Sequence, residues 1–460
     1  MKKNVKNIIA LVLVLLVIGI FVGAIFLSSD PDRAKKPEGD TPPIVDPDDP
    51  DHDYKWEMKT GDSEYHWYEA ECTDHKGLIK SGSKEAHEFI ADKDDEKNER
   101  CKVCGYKRPI PTKQEDLNIS FGDDGASVGK PDEDKKSIPD LVIPGTVVNP
   151  EGEEIPVVEI EDEAYKDNQS LSTLVILNGV KIIGKEAFKG CPQLKEITIP
   201  KTVEYIDPEA FKNCESLEKI HIDKENSVYR ELGYCVIRIE DKCLILGCKG
   251  STIPNANFNA VTSISEYAFC GSGIETLTIP DNITSIGAYA FRECKYLRSI
   301  SLPNNTANTT VREYTFYECS ALTTVTFGNA ITHIGNSAFA GCKVLDNIVL
   351  PSSVQTIADR AFNGCEKLKT ITLNDGLTGI GKYAFSGCTG LESITLPKTV
   401  MGIGSSAFEG CTKLTSIIYA GTAEQWENVT TSNNWKPEGV DVTFETQPET
   451  SDGTDEDNQN

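Results

Sequence analysis

The chain is short of positive charge. Its 460 residues carry 46 lysines and arginines against 72 aspartates and glutamates, a formal net charge of −26. That balance excludes nucleic-acid binding, because phosphate contacts need clustered Lys and Arg. Histidine is scarce, six in all, and His221 and His333 stand single and far apart. A structural or solvated role suits each better than catalysis, since neither has a nucleophile or acid partner in its pattern. Gly-rich turns such as Gly402-Ile-Gly404 lack the strand-to-helix setting of a phosphate loop. No clear A-x-A site follows the N-terminal apolar run, and no cysteine follows it for lipid attachment.

What the chain has is repetition. Ala-Phe-x-x-Cys or a close variant recurs with rings at Phe188, Phe211, Phe291, Phe316, Phe339, Phe362, Phe385 and Phe408, each three residues before a cysteine. From Phe316 onward the interval is an unbroken 23 residues. A fixed period of this length marks a solenoid whose repeats pack only on their neighbours. Within one repeat, Leu194-x-x-Ile197-x-Ile199-Pro200 reads as a strand with Ile197 and Ile199 inward and Glu196 and Thr198 outward. Pro200 ends the strand by removing a ladder donor. Tyr165 opens the series with Asn168 at the cysteine position. Phe269 is off register, with Cys270 directly after it and outside the column. Counting both gives about ten rungs. The cysteines read as a small filler repeated because each rung has the same cavity. Bridges between rungs are the alternative in an oxidising compartment.

These residues resemble the BspA-like leucine-rich-repeat surface proteins of bacteria, over Ile143-Pro144 through Phe444. Asn226 to Pro254, with Tyr229, Cys235 and Gly247-Cys248-Lys249, resembles that family's recurrent long repeat. Tyr419 to Trp426, followed by Asn434-Trp435, resembles its C-terminal cap. The resemblance implies a β-rich solenoid and, by analogy, adhesion to host or matrix proteins.

Ahead of the array, Lys2, Lys3 and Lys6 precede an apolar run at residues 8–27, long enough to span a bilayer. Read as an uncleaved anchor, residues 1–29 put a basic end in the cytoplasm and the rest outside. Read as a cleaved signal, they leave a secreted chain; both place the repeats outside the cytoplasm. Residues 30–53, rich in Pro and Asp, form an extended spacer. Residues 54–110 contain Cys72-x-x-His75, His87 and Cys101-x-x-Cys104. Two close pairs of soft ligands suit one tetrahedral structural zinc held by Cys72, His75, Cys101 and Cys104. His66 or His87 can replace a weak member. His66-Trp67 to Tyr106 also resembles small Cys/His modules found beside such repeats, but His75 stands where a second Cys-x-x-Cys is expected. A metal-free relic, with its thiols reduced or paired, and redox chemistry at Cys101 and Cys104 therefore stay open.

Residues 114–160 read as an N-terminal β cap, 161–418 as the solenoid, 419–445 as a C-terminal cap in which Trp426 and Trp435 shield the last rung, and 446–460 as a disordered acidic tail. The outward columns of the sheet face are mostly Ser and Thr, which favour strands and offer no catalytic pair. Lys219 and His221 depart most from that pattern and lie beside the insertion at 226–254. They are the candidate ligand-binding residues. The expected function is non-catalytic binding of a host, matrix or cell-surface protein, with the membrane contacted through residues 8–27. A zinc- or thiol-dependent enzyme centred on residues 66–104 and an architectural envelope protein are the alternatives. The Asn168, Asn282, Asn304, Asn308 and Asn428 sequons matter only in a host that glycosylates them.

Overall fold

The computed structural model describes residues 107–132, 135, 137–254 and 261–444, and before them the segments 44–45, 55–60, 65–71, 78–80, 85–86, 89–93 and 97–101. The expected membrane segment at 8–27, the tail at 446–460 and the spacer apart from Ile44–Val45 lie outside the described residues. The chain divides into two compact units, residues 1–108 and 109–460. In the first, Lys55–Thr60 pairs antiparallel with Tyr65–Glu71, and Asn98–Cys101 pairs with Phe89–Ala91.

The second unit is a three-sided solenoid. Its front carries twelve short strands: Asp140–Ile143, Thr173–Ile176, Glu196–Ile199, Lys219–Ile222, Thr276–Thr278, Ser299–Ser301, Thr324–Thr326, Asn347–Val349, Thr370–Thr372, Ser393–Leu396, Ser416–Tyr419 and Val442–Phe444. They form four parallel, in-register ladders, broken at the insertion and after Thr324–Thr326 and Thr370–Thr372, with pairs such as Glu196↔Lys219 and Thr198↔His221. Alternation sends Ile197 and Ile199 into the core and leaves Glu196 and Thr198 partly exposed.

The expectation of about ten rungs is corrected to about twelve turns. The two extra strands, Asp140–Ile143 and Val442–Phe444, pair in register with the terminal rungs. The ten phrases lie between eleven front strands and a twelfth strand follows Trp435, where the phrase is absent, so counting that phrase misses two.

The second side is built from two-residue strands such as Ile182–Ile183, Tyr205–Ile206 and Ile357's Thr356–Ile357, also parallel. Among the described residues the third side has no strands. There the backbone closes its own ladder: Phe316, Phe339, Phe362 and Phe385 donate their N–H groups to Ala338, Ala361, Ala384 and Ala407 of the next turn at 2.7–2.8 Å. Most turns bend through left-handed residues on either side of the ring, as at Arg360 (φ 57°) and Gly364 (φ 71°) around Phe362. Glycine at the second of these avoids the Cβ clash of that conformation.

The rings themselves stack. From Phe316 to Phe408 neighbouring centroids lie 5.2–5.4 Å apart. Phe269 belongs to the same column, 5.0 Å from Phe291, while Ser272 occupies the place of the column cysteine. The column cysteines are buried and free, and each thiol donates one turn back. Cys342, Cys365 and Cys388 reach the carbonyls of Phe316, Phe339 and Phe362 at 3.2–3.3 Å. These carbonyls already accept the N–H of their own turn's cysteine, so the thiol takes the second lone pair. The repeated cysteine therefore does more than fill a cavity.

The insertion divides the core. Tyr229–Leu232, Cys235–Arg238 and Cys243–Leu246 form an antiparallel meander, and the last strand joins the second side through Ser263–Ile264. Tyr229, Val236, Ile245 and Leu246 face a buried cluster that runs back to Leu117. Cys235, Ile237 and Leu244 face another that runs on to Val440. The meander is thus a septum with an apolar residue on each side. The Tyr229 hydroxyl accepts the N–H of Ile206 at 3.2 Å, continuing the second side across the break.

Both ends are covered. The hairpin Asn118–Gly122/Gly125–Gly129 adds to Glu154–Ile160. Thr112 exchanges hydrogen bonds with Val142 along the first front strand. At the other end Phe408 donates to the Trp435 carbonyl at 2.9 Å, and the two rings meet edge-on at 6.1 Å. Thr422 and Gln425 form a reciprocal capping box on the helix Ala423–Trp426, which brings Trp426 against Tyr419.

Candidate binding face

Lys219 and His221 are brought together on the front, on one strand, Lys219 exposed and His221 half-buried. Parallel register sets Glu196 directly beside Lys219. Its carboxylate reaches both residues, at 3.8 Å from Lys219 Nζ and 3.5 Å from His221 Nε2. From the insertion, Glu231 comes within 3.4 Å of His221 Nδ1, and the Tyr234 ring meets the imidazole edge-on at 6.0 Å. The result is a mixed-charge cluster where the septum meets the front sheet. Glu196 was legible beforehand, one 23-residue period before Lys219. Glu231 and Tyr234 were not, because the insertion breaks the period that assigns residues to faces.

From Thr276 to Ile418 the outward columns of the front are neutral and hydroxyl-rich. Thr370 donates to Asn347 across adjacent strands at 2.9 Å, one of the cross-strand contacts that favour such ladders. His333 lies away from the cluster on the second side, where its Nδ1 is 2.7 Å from Thr332 Oγ1. Of the sequon asparagines, Asn168 and Asn308 are buried. Asn168 accepts the N–H of Leu171 at 3.0 Å and so acts as a turn-former.

Burial holds the thiols of Cys294, Cys319, Cys342 and Cys365 neutral. Burial pushes up those of Cys342 and Cys365, the latter to about 12. The same cause raises Cys270 to about 12. A thiol that does not ionise is a poor nucleophile and a poor metal ligand.

Cys72, His75, His87 and Cys104 lie outside the described residues, and of Cys101 and His66 only the backbone is described, in the strands Asn98–Cys101 and Tyr65–Glu71. Among the described residues no group of three His, Cys, Asp or Glu side chains is placed to hold a metal ion. Likewise no helix among them is long and apolar enough to cross a membrane.

The profile of the BspA type leucine rich repeat region matches six copies, over residues 158–244, 262–378 and 309–434, more than half of the chain. The chain belongs to the BspA type leucine-rich-repeat family. Among solved structures, this BspA type chain is similar to a leucine rich cell surface protein from Faecalibacterium prausnitzii A2-165, at 23% identity over 71% of this chain and 98% of that one, with a TM-score of 0.42. It is similar to a leucine-rich repeat protein from Bacteroides ovatus at 21% identity, over 71% and 98% of the two chains, with a TM-score of 0.36. The pneumococcal vaccine antigen PcpA is 16% identical over 72% of this chain and 99% of its own, with a TM-score of 0.44. No curated protein matches.

Proposed function

We propose that this BspA type chain is a non-catalytic surface protein that binds a host, matrix or cell-surface protein through the front of its solenoid. The observation that carries the reading is the cluster of Lys219, His221, Glu196, Glu231 and Tyr234, the place where the hydroxyl-rich front acquires charge and an aromatic edge. A partner would gain orientation there and spread weak contacts over neighbouring strands. Residues 8–27 would anchor the chain as a single membrane pass, or be removed to leave it secreted; either way the front faces outward. Within this proposal Cys72, His75, Cys101 and Cys104 hold one structural zinc that orders the segment ahead of the array.

The test compares the full chain with a Lys219→Glu/His221→Asp variant on immobilised host and matrix proteins. The variant should bind at least about tenfold more weakly, the loss of one dominant contact, while its urea unfolding is unchanged. Binding that survives these changes but is abolished by Trp426→Ala would move the site to the C-terminal end.

A further inference from the structure

We propose that the septum is a joint at which the array divides into two parts that unfold separately. Where the 23-residue period holds, each turn is tied to the next by strand ladders, third-side backbone bonds, the ring stack and the thiol bond. Thr310–Val311 to Thr430–Thr431 form one unbroken second-side ladder. At the insertion most of these ties fail together. The front ladder ends at Lys219–Ile222 and resumes at Thr276–Thr278. The second-side ladder of the first turns ends at Tyr205–Ile206. Among the described residues the ring stack runs to Phe211 and starts again at Phe269, with the backbone of Gly247 in the break. Ser272 stands where a column thiol would reach back to Phe211, and its hydroxyl accepts the N–H of Ile274 at 3.2 Å instead.

The polar ties that do cross include the bond from Asn213 N–H to the Cys270 carbonyl at 3.0 Å and the Lys295–Glu215 pair at 3.4 Å. Exposed pairs of the second kind contribute little. The septum itself is bound more firmly to the later turns. Cys243–Leu246 enters the ladder of Ser263–Ile264 and Ser285–Ile286, and Gly247 donates to the Ala268 carbonyl at 2.7 Å. Its Cys235, Ile237 and Leu244 close the later core, so that core stays walled when the earlier turns open. A covered end is what a repeat array needs in order to stand without further turns. The coupling that remains is the contact of Tyr229, Val236, Ile245 and Leu246 with the earlier core.

The earlier part stacks three rings, Tyr165, Phe188 and Phe211. The later part stacks seven, from Phe269 to Phe408. Stability in such arrays sums over turns and their interfaces, so the earlier part opens first. One consequence rests on the reading of the binding face above. Lys219 and His221 lie on the last strand before the joint, and Glu231 and Tyr234 lie on the septum. The cluster straddles the joint, so a partner that touches both sides would hold it shut.

The native cysteines of the full chain test the joint with no partner present, so its failure and the failure of the binding reading are separable. Cys191 and Cys214 report the earlier core, Cys342 and Cys365 the later one, and all four are buried and free. The chain is held at stepped urea concentrations, pulsed with a thiol reagent and mapped by mass spectrometry. At intermediate urea, Cys191 and Cys214 should label about tenfold faster or more than Cys342 and Cys365, as expected of regions with separate opening equilibria. Ile197→Ala, in the earlier core, should lower the urea midpoint for Cys191 and Cys214 and leave that for Cys342 and Cys365 in place. If that variant leaves the earlier turns unfolded without urea, Cys342 and Cys365 should still be protected. One shared midpoint for all four cysteines in the parent, or lost protection of Cys342 and Cys365 in Ile197→Ala, overturns the joint.

Discussion

Gly247 sits against the ring of Phe269 so closely that any side chain there would occupy the space of the ring. Its N–H donates to the Ala268 carbonyl at 2.7 Å, so the backbone cannot easily retreat. The Phe column is interrupted between Phe211 and Phe269, and the septum's backbone fills the break. Gly247→Ala should therefore lower stability by about 1–3 kcal/mol through overpacking, read as a lower urea midpoint. Gly379→Ala is the control. Nothing lies within 4 Å of a Cβ there, so that change should be neutral or stabilise by up to about 1 kcal/mol.

The thiol contact gives a second prediction. If Cys365 only fills space, Cys365→Val should be tolerated better than Cys365→Ser, because valine keeps the apolar contact. The bond from its sulfur to the Phe339 carbonyl, 3.2 Å long, argues for the opposite order. Ser restores a donor, and Ala loses both donor and volume, costing about 1–2 kcal/mol. A valine variant more stable than the serine one would return the residue to filler.

Phe362→Ala removes a ring held between Phe339 and Phe385 at 5.3 and 5.4 Å. The expected cost is about 3–5 kcal/mol, as for other fully buried rings. Parental resistance to urea would count against the column as a source of stability.

The solenoid was legible because its signals are periodic. Phe and Cys at a fixed interval announce the stack, and alternation around Ile197 and Ile199 announces which face is inward. Three things were not legible, each where the period fails. Asp140–Ile143 lies before the first phrase and Val442–Phe444 after the last. The apolar run at Cys243–Leu246 reads as a strand buried on both faces, but not as a wall between two cores, with Leu244 in one and Ile245 in the other. Glu231 meets His221 through the path of a folded-back hairpin, a tertiary fact that ten residues of separation do not encode. The donor role of the cysteines was hidden for a different reason. A buried thiol and a small apolar residue leave the same mark in a sequence.

Zinc in residues 54–110 is a proposal that a direct measurement decides. Purified full-length chain should carry about one zinc, and chelation should alter the spectra of the module while the repeat array keeps its unfolding midpoint. Stoichiometric metal should disappear from a Cys101→Ser/Cys104→Ser variant. Metal-free parent protein with unchanged spectra would retire the site.

Acid should weaken the first turns through Glu186. Burial alone would raise its carboxyl pKa, but hydrogen bonds from Lys166 and Lys189, each at 2.6 Å, outweigh that and hold it at about 2. An unfolded glutamate titrates near about 4.3. The native carboxyl thus binds its proton less readily than the unfolded one. Its contribution is fully present above about pH 4.3 and is lost as pH falls toward about 2. Glu186→Gln removes that contribution at every pH. Above about pH 5 the variant should be less stable than the parent by no more than about 1 kcal/mol, since the pairs are partly exposed. The two urea midpoints should then converge as pH falls through the window, because protonation does to the parent what the substitution has already done to the variant. Midpoints that coincide at every pH would mean that the lysine pairs contribute nothing, and that packing such as the Tyr165–Phe188–Phe211 stack and the strand ladders hold the first turns without them.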